Sequence, residues 1–459
     1  MQPLVTPSEM AAIDAEAPST LDELIGRAAA AVATVAIEML GGRYGRRVLV
    51  VAGKGNNGAD GRVAARLLAR QGVRVTVVDA GDPMPSGSVA AADLIIDAAY
   101  GTGFRGDYQA PDAGPTPVLA VDIPSGVDGL TGAACEGAVQ ATRTVTFAAP
   151  KPGLLLDPGR RHCGRVTVAD IGLDCSRARA WHLDADDVAR DWPRPPATTH
   201  KWQRAVWVVG GDPAMTGAPA LAAEAVLRAG AGYVAVSIPG LDHAGPPLPI
   251  EAVVRPVPQR AWSEPVIADH RRFAALVVGP GLRPDADHGA AVGALIEATG
   301  DVGLVLDGGA LDAVAAAPAS LAGRAVPAVL TPHDGELVRL TGSTGGGIDR
   351  LAVARRTAAD LGAIMVLKGP TTVVAHPDGR VLVSTAGDRR LGTAGTGDVL
   401  AGTIGAGLAG GLDPFLAAGL GVELHGRAAR RGRLRGFAAG DLPALVARQL
   451  DDDDEGGER

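Results

Sequence analysis

The chain has 459 residues, too many for one ordinary hydrophobic core, so two domains are expected. Hydrophobic residues at 47% and charged residues at 20% exclude a disordered chain, and a net charge of −8 without a basic block argues against nucleic acid as the main partner. No apolar run is long enough to cross a bilayer and no secretory signal opens the chain, so no membrane role and a cytoplasmic location are the expectation.

Taken in chain order, residues 8–40 read as helix. Thr20-Leu21-Asp22-Glu23 offers a capping box within that stretch, and Gly41-Gly42 ends it. Residues 47–52 form a continuous apolar run, the pattern of a strand buried on both faces. A glycine-rich loop follows, then a helix over 62–71 and further strands over 73–79, 91–97, 118–122, 144–148 and 164–170. Strand and helix alternating at this spacing predict a doubly wound, Rossmann-like parallel sheet. A proline-rich, polar stretch marks a seam around 174–200. A second α/β series starts at 205–210, with a helix over 217–230. Its later strands are read at 275–278, 303–306, 328–330, 364–367 and 372–375. We therefore divide the chain into a first domain over 1–175, a second over 176–450 and a solvated acidic tail over 451–459. Small-residue helices at 26–40 and 398–411 suit dense core packing or close subunit packing, and a homo-oligomer is carried as an expectation. Cys135, Cys163 and Cys175 are odd in number and not at metal spacing, which reads as ordinary thiols in a reducing compartment.

The first glycine loop is Gly53-Lys54-Gly55-Asn56-Asn57-Gly58-Ala59-Asp60-Gly61. Its Gly-x-Gly-x-x-Gly spacing between strand and helix, with Asp79 at the next strand end, matches a dinucleotide-binding dehydrogenase. The polar content does not fit that reading. Asn56, Asn57 and Asp60 bring side-chain oxygens suited to a hard cation or a polar ring. Asp97 closes a later strand and leads into Tyr100-Gly101-Thr102-Gly103-Phe104-Arg105-Gly106-Asp107, while Asp122 and Ser125 end another. In an open parallel sheet these strand ends converge on one crevice.

These motifs together resemble the NAD(P)H-hydrate epimerase domain over about residues 1–172. The resemblance implies that Asn56, Asn57, Gly58, Ala59, Asp60, Gly101, Thr102, Gly103, Phe104, Arg105, Gly106, Asp107 and Asp122 bind the damaged nucleotide. It further implies a potassium ion held by Asn57, Asp97 and Ser125. Asp122 is the candidate proton-transfer group, with Asp97 second. The chain departs from the family pattern at Ala59, where glycine is usual.

The second loop, Gly392-Thr393-Ala394-Gly395-Thr396-Gly397-Asp398, opens a helix, so its N–H groups can form an anion hole with Asp398 beside it as a base. No Gly-Lys-Ser/Thr motif is present, which excludes a Walker-type loop. With the turns at 210–220 and 279–282, Thr331-Pro332-His333-Asp334-Gly335-Glu336 and the segment from Lys368, this half resembles the ADP-dependent NAD(P)H-hydrate dehydratase over about 200–445. That resemblance implies a ribokinase-like fold. It implies hydrate contacts at Ala218, Gly281, His333 and Asp398, and nucleotide contacts at Lys368, Gly369, Pro370, Thr371, Thr372 and Gly397. Magnesium would accompany ADP, with Glu336 a candidate to help hold it. Asp307 is kept, whereas Gly309 replaces the second acid of the family's pattern. The implied substrates are hydrated NADH, hydrated NADPH and ADP, with Asp398 and Asp122 as the catalytic residues.

Overall fold

The computed structural model describes residues 1–83, 86–241, 248–342 and 349–457. The chain divides into two compact units, Gln2–Ala180 and Trp181–Arg459 with Met1.

In the first unit a short strand β1 (Gln2–Leu4) precedes the sheet strands β2 (Arg47–Ala52), β3 (Arg74–Asp79), β4 (Leu94–Ala98), β5 (Val118–Val121), β6 (Arg143–Phe147) and β7 (Arg165–Ala169). The sheet order is β3-β2-β4-β5-β6-β7, and every pairing is parallel. β2 lies inside the sheet, between β3 and β4, and its run is apolar at every inner position. Val48, Val50 and Ala52 enter one core with the helices Leu21–Leu40 and Asn56–Arg70, and Leu49 and Val51 enter another on the opposite face. The strand order reverses on either side of β2, which places the ligand crevice beyond the ends of β2 and β4.

The stretch expected as one helix over 8–40 is two, Pro7–Glu16 and Leu21–Leu40. Thr20 caps the second with the capping box read from the sequence, and Thr6 makes an equivalent box for the first. The break falls at Ala17-Pro18, since the residue before proline avoids helical geometry. The helix placed at 62–71 starts earlier, at Asn56, so two thirds of the glycine loop forms its first turns. The glycine there serves packing: a Cβ on Gly58 would lie 1.9 Å from the Gly53 carbonyl oxygen. The strand placed at 91–97 starts at Leu94, because 88–91 is a short helix.

The second unit carries β8 (Ala180–His182), β9 (Ala205–Val209), β10 (Tyr233–Ser237), β11 (Val253–Val254), β12 (Ala275–Val278), β13 (Gly303–Leu306), β14 (Val329–Leu330), β15 (Ile364–Leu367), β16 (Thr372–Ala375) and β17 (Val381–Ser384). They are ordered β8-β17-β16-β15-β14-β13-β12-β9-β10-β11. The strands from β9 to β15 pair in parallel, and β16 and β17 add antiparallel at the side of β15. The helix Thr396–Ala409 is buried along nearly its whole length, which explains its small residues. A Cβ on Gly402 would lie 2.2 Å from the Ala222 carbonyl oxygen of the neighbouring helix Gly217–Arg228. This helix and the inner face of Leu21–Leu40 are consumed in core packing, so neither supports the expected homo-oligomer. The acidic stretch expected as a tail is helical through Gly457, as the end of Leu442–Gly457, with residues 458–459 outside the described ones.

Candidate functional sites

In the first unit a cavity of about 1010 Å³ opens at the reversal point of the sheet. Its walls include Asn56, Asn57, Asp60, Gly101, Thr102, Gly103, Phe104, Arg105 and Asp122. Gly58, Ala59, Gly106 and Asp107, expected among the binding residues, are not part of the lining. The methyl of Ala59 therefore does not narrow this cavity.

Asp122 stands just past β5 with φ of 66°, a left-handed conformation that costs a non-glycine residue about 1 kcal/mol or more. Such strain at a crevice is a mark of a working position. Its Oδ1 accepts hydrogen bonds from Lys151 Nζ at 2.8 Å and Thr146 Oγ1 at 3.1 Å. Lys151 is buried and also donates to the Phe147 carbonyl at 3.0 Å. Sequence reasoning passed over Lys151, although it follows β6 and the strand-end rule that found Asp122 applies to it. Asp14 was missed too. It reaches the cavity from the helix Pro7–Glu16, where no motif announces it.

Asp60 lines the cavity, is 7% exposed, and its carboxyl has no hydrogen bond or ion pair among the described residues. Burial first, then the nearby Asp122 and Asp14 carboxylates, pushes its pKa up to about 8. Burial also raises Asp14, against the pull of Lys151.

Asp97 and Ser125 lie together and are not part of the cavity lining. Ser125 donates to Asp97 through Oγ at 2.6 Å and through its N–H at 2.8 Å. Burial pushes Asp97 up to about 6, with the hydrogen bonds from Ser125 and the Ala99 N–H opposing it. The Asn57 amide is buried with neither Oδ1 nor Nδ2 partnered. An orphan amide in a native interior calls for a missing group.

The dehydrogenase alternative loses its ribose-binding acid. Asp79 is paired with Arg62, whose guanidinium also donates to the Gly53 carbonyl at 2.7 Å.

In the second unit the strand ends again assemble the site. Asp307 follows β13, Thr331 follows β14 and Lys368 follows β15. Thr331 Oγ1 donates to Asp307 Oδ1 at 2.6 Å, and Lys368 Nζ donates to the same oxygen at 3.0 Å, with Glu336 Oε2 3.7 Å from the ammonium. Lys368, implied as a nucleotide contact, lies among carboxylates. Burial alone would lower its pKa; Asp307, Glu336 and Asp398 raise it instead. Asp398 sits in the first turn of the helix Thr396–Ala409. Burial, then repulsion from Asp307, pushes it up to about 7 despite Lys368. The position a Cβ would take on Gly397 is 3.4 Å from Lys368 Nζ, so the helix start and the ammonium are adjacent. Behind this turn the buried His425 holds the Thr396 carbonyl at 2.9 Å, and burial lowers its pKa to about 4.

Ala218 and Gly281 are brought together: a Cβ on Gly281 would be 2.9 Å from that of Ala218. His333 has a structural task, since its Nδ1 accepts the Gly335 and Glu336 N–H groups at the start of the helix Asp334–Thr341. Its other ring nitrogen is 3.5 Å from Glu336 Oε2. Gly369 lies beside Arg350, which donates to the Lys368 carbonyl at 3.1 Å, and Thr372 Oγ1 turns back to the Gly369 carbonyl at 3.4 Å. Pro370 and the buried Thr371 complete that loop. The missing second acid at Gly309 has a physical reason: a Cβ there would lie 2.2 Å from the Leu282 carbonyl oxygen.

A family model described as NAD(P)H-hydrate dehydratase matches residues 206–451, more than half of the chain. Another, described as YjeF-related protein N-terminus, matches 21–90 and 79–153. The bifunctional NAD(P)H-hydrate repair enzyme of Moorella thermoacetica is 37% identical over 457 residues, which cover 86% of each chain. The chain belongs to the bifunctional NAD(P)H-hydrate repair enzymes. The repair enzyme of Escherichia coli is 34% identical over 458 residues, covering 88% of this chain and 85% of its own. Among solved structures, the ADP/ATP-dependent NAD(P)H-hydrate dehydratase from Bacillus subtilis, co-crystallised with ATP and Mg2+, is 29% identical with a TM-score of 0.52 over 59% of this chain and 97% of its own. A ribokinase-like superfamily protein from Enterococcus faecalis, 25% identical, gives a TM-score of 0.51 over 61% of this chain and 96% of its own. Membership of the repair family and a ribokinase-like second unit thus match the sequence expectation.

Proposed function

We propose that the unit Gln2–Ala180 interconverts the two C6 epimers of hydrated NAD(P)H, and that the unit Trp181–Arg459 dehydrates the S epimer with ADP. The observation that carries the reading is a shared arrangement at two strand-end sites. Burial raises Asp398 to about 7 and Asp60 to about 8, so both carboxyls hold a proton more readily than a free carboxylate, and each site also contains a lysine already neutralised, Lys151 by Asp122 and Lys368 by Asp307. Such groups suit proton transfer better than permanent charge.

In the second unit, Asp398 takes the proton of the C6 hydroxyl. The N–H groups at the start of its helix stabilise the phosphoryl group passing to that oxygen. Phosphate then leaves, pushed by the ring nitrogen, and loss of the neighbouring proton restores the dihydronicotinamide. Magnesium, riding on the nucleotide phosphates, would neutralise their charge, and Glu336 and Asp307 are the carboxylates placed to help hold it. Because Asp398 must be ionised to act, the dehydration rate should rise with pH through about 7. The test is product stoichiometry: the S hydrate with ADP and magnesium should yield AMP, phosphate and NAD(P)H in equal amounts. NAD(P)H without AMP would refute phosphoryl transfer.

In the first unit, the residues fit a potassium ion. Asn57 Oδ1, in the helix that follows β2, lacks a partner, and Asp97 of β4 with Ser125 past β5 offers further oxygens. Bound there, the ion would supply positive charge near the substrate. Replacing potassium with choline should slow epimer conversion, and Asn57→Leu should be slow in both salts. Equal wild-type rates in the two salts would remove the ion from the account. We place the protein in the cytoplasm, where its three free cysteines suit a reducing environment.

A further inference from the structure

We propose that Asp60 is the proton donor of the epimerase reaction, working opposite Asp122, which Lys151 holds as the carboxylate acceptor. This rests on the epimerase reading of the cavity and divides its chemistry between two carboxyl groups.

The geometry separates the two. Asp122 has a cation at 2.8 Å and a hydroxyl donor at 3.1 Å on one oxygen, partners that suit a carboxylate acceptor. Asp60 has no such partner among the described residues, although it lines the same cavity and is 7% exposed. An unpaired carboxyl at that burial is cheapest in its neutral form, in which it is a donor. Its place is fixed, because it lies on the helix Asn56–Arg70 whose first turn is pressed onto the Gly53 backbone at Gly58. The other charged groups on the cavity wall are Asp14, Lys54 and Arg105. Asp14 repels a charge on Asp60 and so reinforces its neutral form.

One acid and one base suffice to invert a carbon that bears both a hydroxyl and a ring nitrogen. The hydroxyl gives its proton to the Asp122 carboxylate, and its O–H electron pair becomes the second C6–O bond. The C6–N1 pair leaves onto the ring nitrogen, which takes the Asp60 proton. The ring is then open as an aldehyde. Rotation about C5–C6 presents the other face, and the reverse steps close the ring and return both protons. No redox partner is needed, and protons and electrons balance over the cycle.

The test uses the full chain and purified R or S hydrate, with epimer conversion followed chromatographically. Asp60→Asn should lower kcat by about 100-fold or more while KM changes by less than about threefold. Asp60→Glu should restore part of kcat. Wild-type kcat should fall as pH rises through about 8, and that limb should vanish in Asp60→Asn. Dehydration of the S hydrate, carried by the other unit, should be unchanged in both variants. Wild-type conversion retained in Asp60→Asn, or a loss confined to KM, would overturn the donor assignment alone. Wild-type enzyme that converts neither epimer would overturn the epimerase reading and the assignment together.

Discussion

Asp398→Asn is expected to lower dehydration of the S hydrate by roughly 10³-fold while epimer conversion continues at the wild-type rate. The amide keeps the shape of the carboxyl but cannot take the hydroxyl proton. The loss should fall on kcat, since the helix start that receives the phosphoryl group is untouched. Stability should move the other way. Asp398 titrates near 7 when folded and at about 4 when unfolded, so folding takes up a proton between those values. Its contribution therefore declines as pH rises across that window, and the variant lacks the decline. At pH 7 the variant should melt no lower than wild type. A variant that melts lower and loses activity in proportion would make Asp398 a structural residue.

Lys151→Met should disable the other unit. Lys151 is buried and holds Asp122, Thr146 and the Phe147 carbonyl at once. Removing it leaves the strained Asp122 carboxylate without its counter-charge, and breaking a buried pair this way costs about 3 kcal/mol or more. For a unit of this size the melting step that carries epimerase loss should fall by roughly 6–12 °C. Below that step, epimer conversion should still be down about 100-fold, because Asp122 loses the ammonium that holds it in place as the acceptor. Dehydration of the S hydrate should persist. Conversion rates within a few-fold of wild type at low temperature would show that Asp122 needs no partner.

The residues differ in how openly they announce these roles. β2 was readable to the residue because a strand buried on both faces is apolar at every inner position. Asp97, Asp122 and Ser125 were found by one rule, that carboxyl ends of parallel strands share a crevice. The same rule reaches Lys151, but a lysine in Ala149-Pro150-Lys151-Pro152 reads as a turn until its Asp122 partner is seen. At Gly58, implied as a binding residue, the Gly53 backbone passes within reach of where a side chain would be, a packing demand that the motif alone does not reveal. Asp14 comes from a helix remote in sequence and carries no local signal. His333 stands among site residues in the sequence, yet its ring faces its own helix N-terminus. Patterns of spacing locate strand ends well. They do not show which of the groups collected there are already spoken for by one another.

The account is tested most directly by supplying the full chain with an equal mixture of both hydrate epimers, ADP and magnesium in potassium buffer, and following dihydronicotinamide absorbance. Two coupled sites predict complete recovery, with the second half limited by the epimerase and slowed in Asp60→Asn. Recovery that stops once the S epimer is consumed would contradict an epimerase in the first unit, and no recovery with ADP or ATP would contradict the repair function itself.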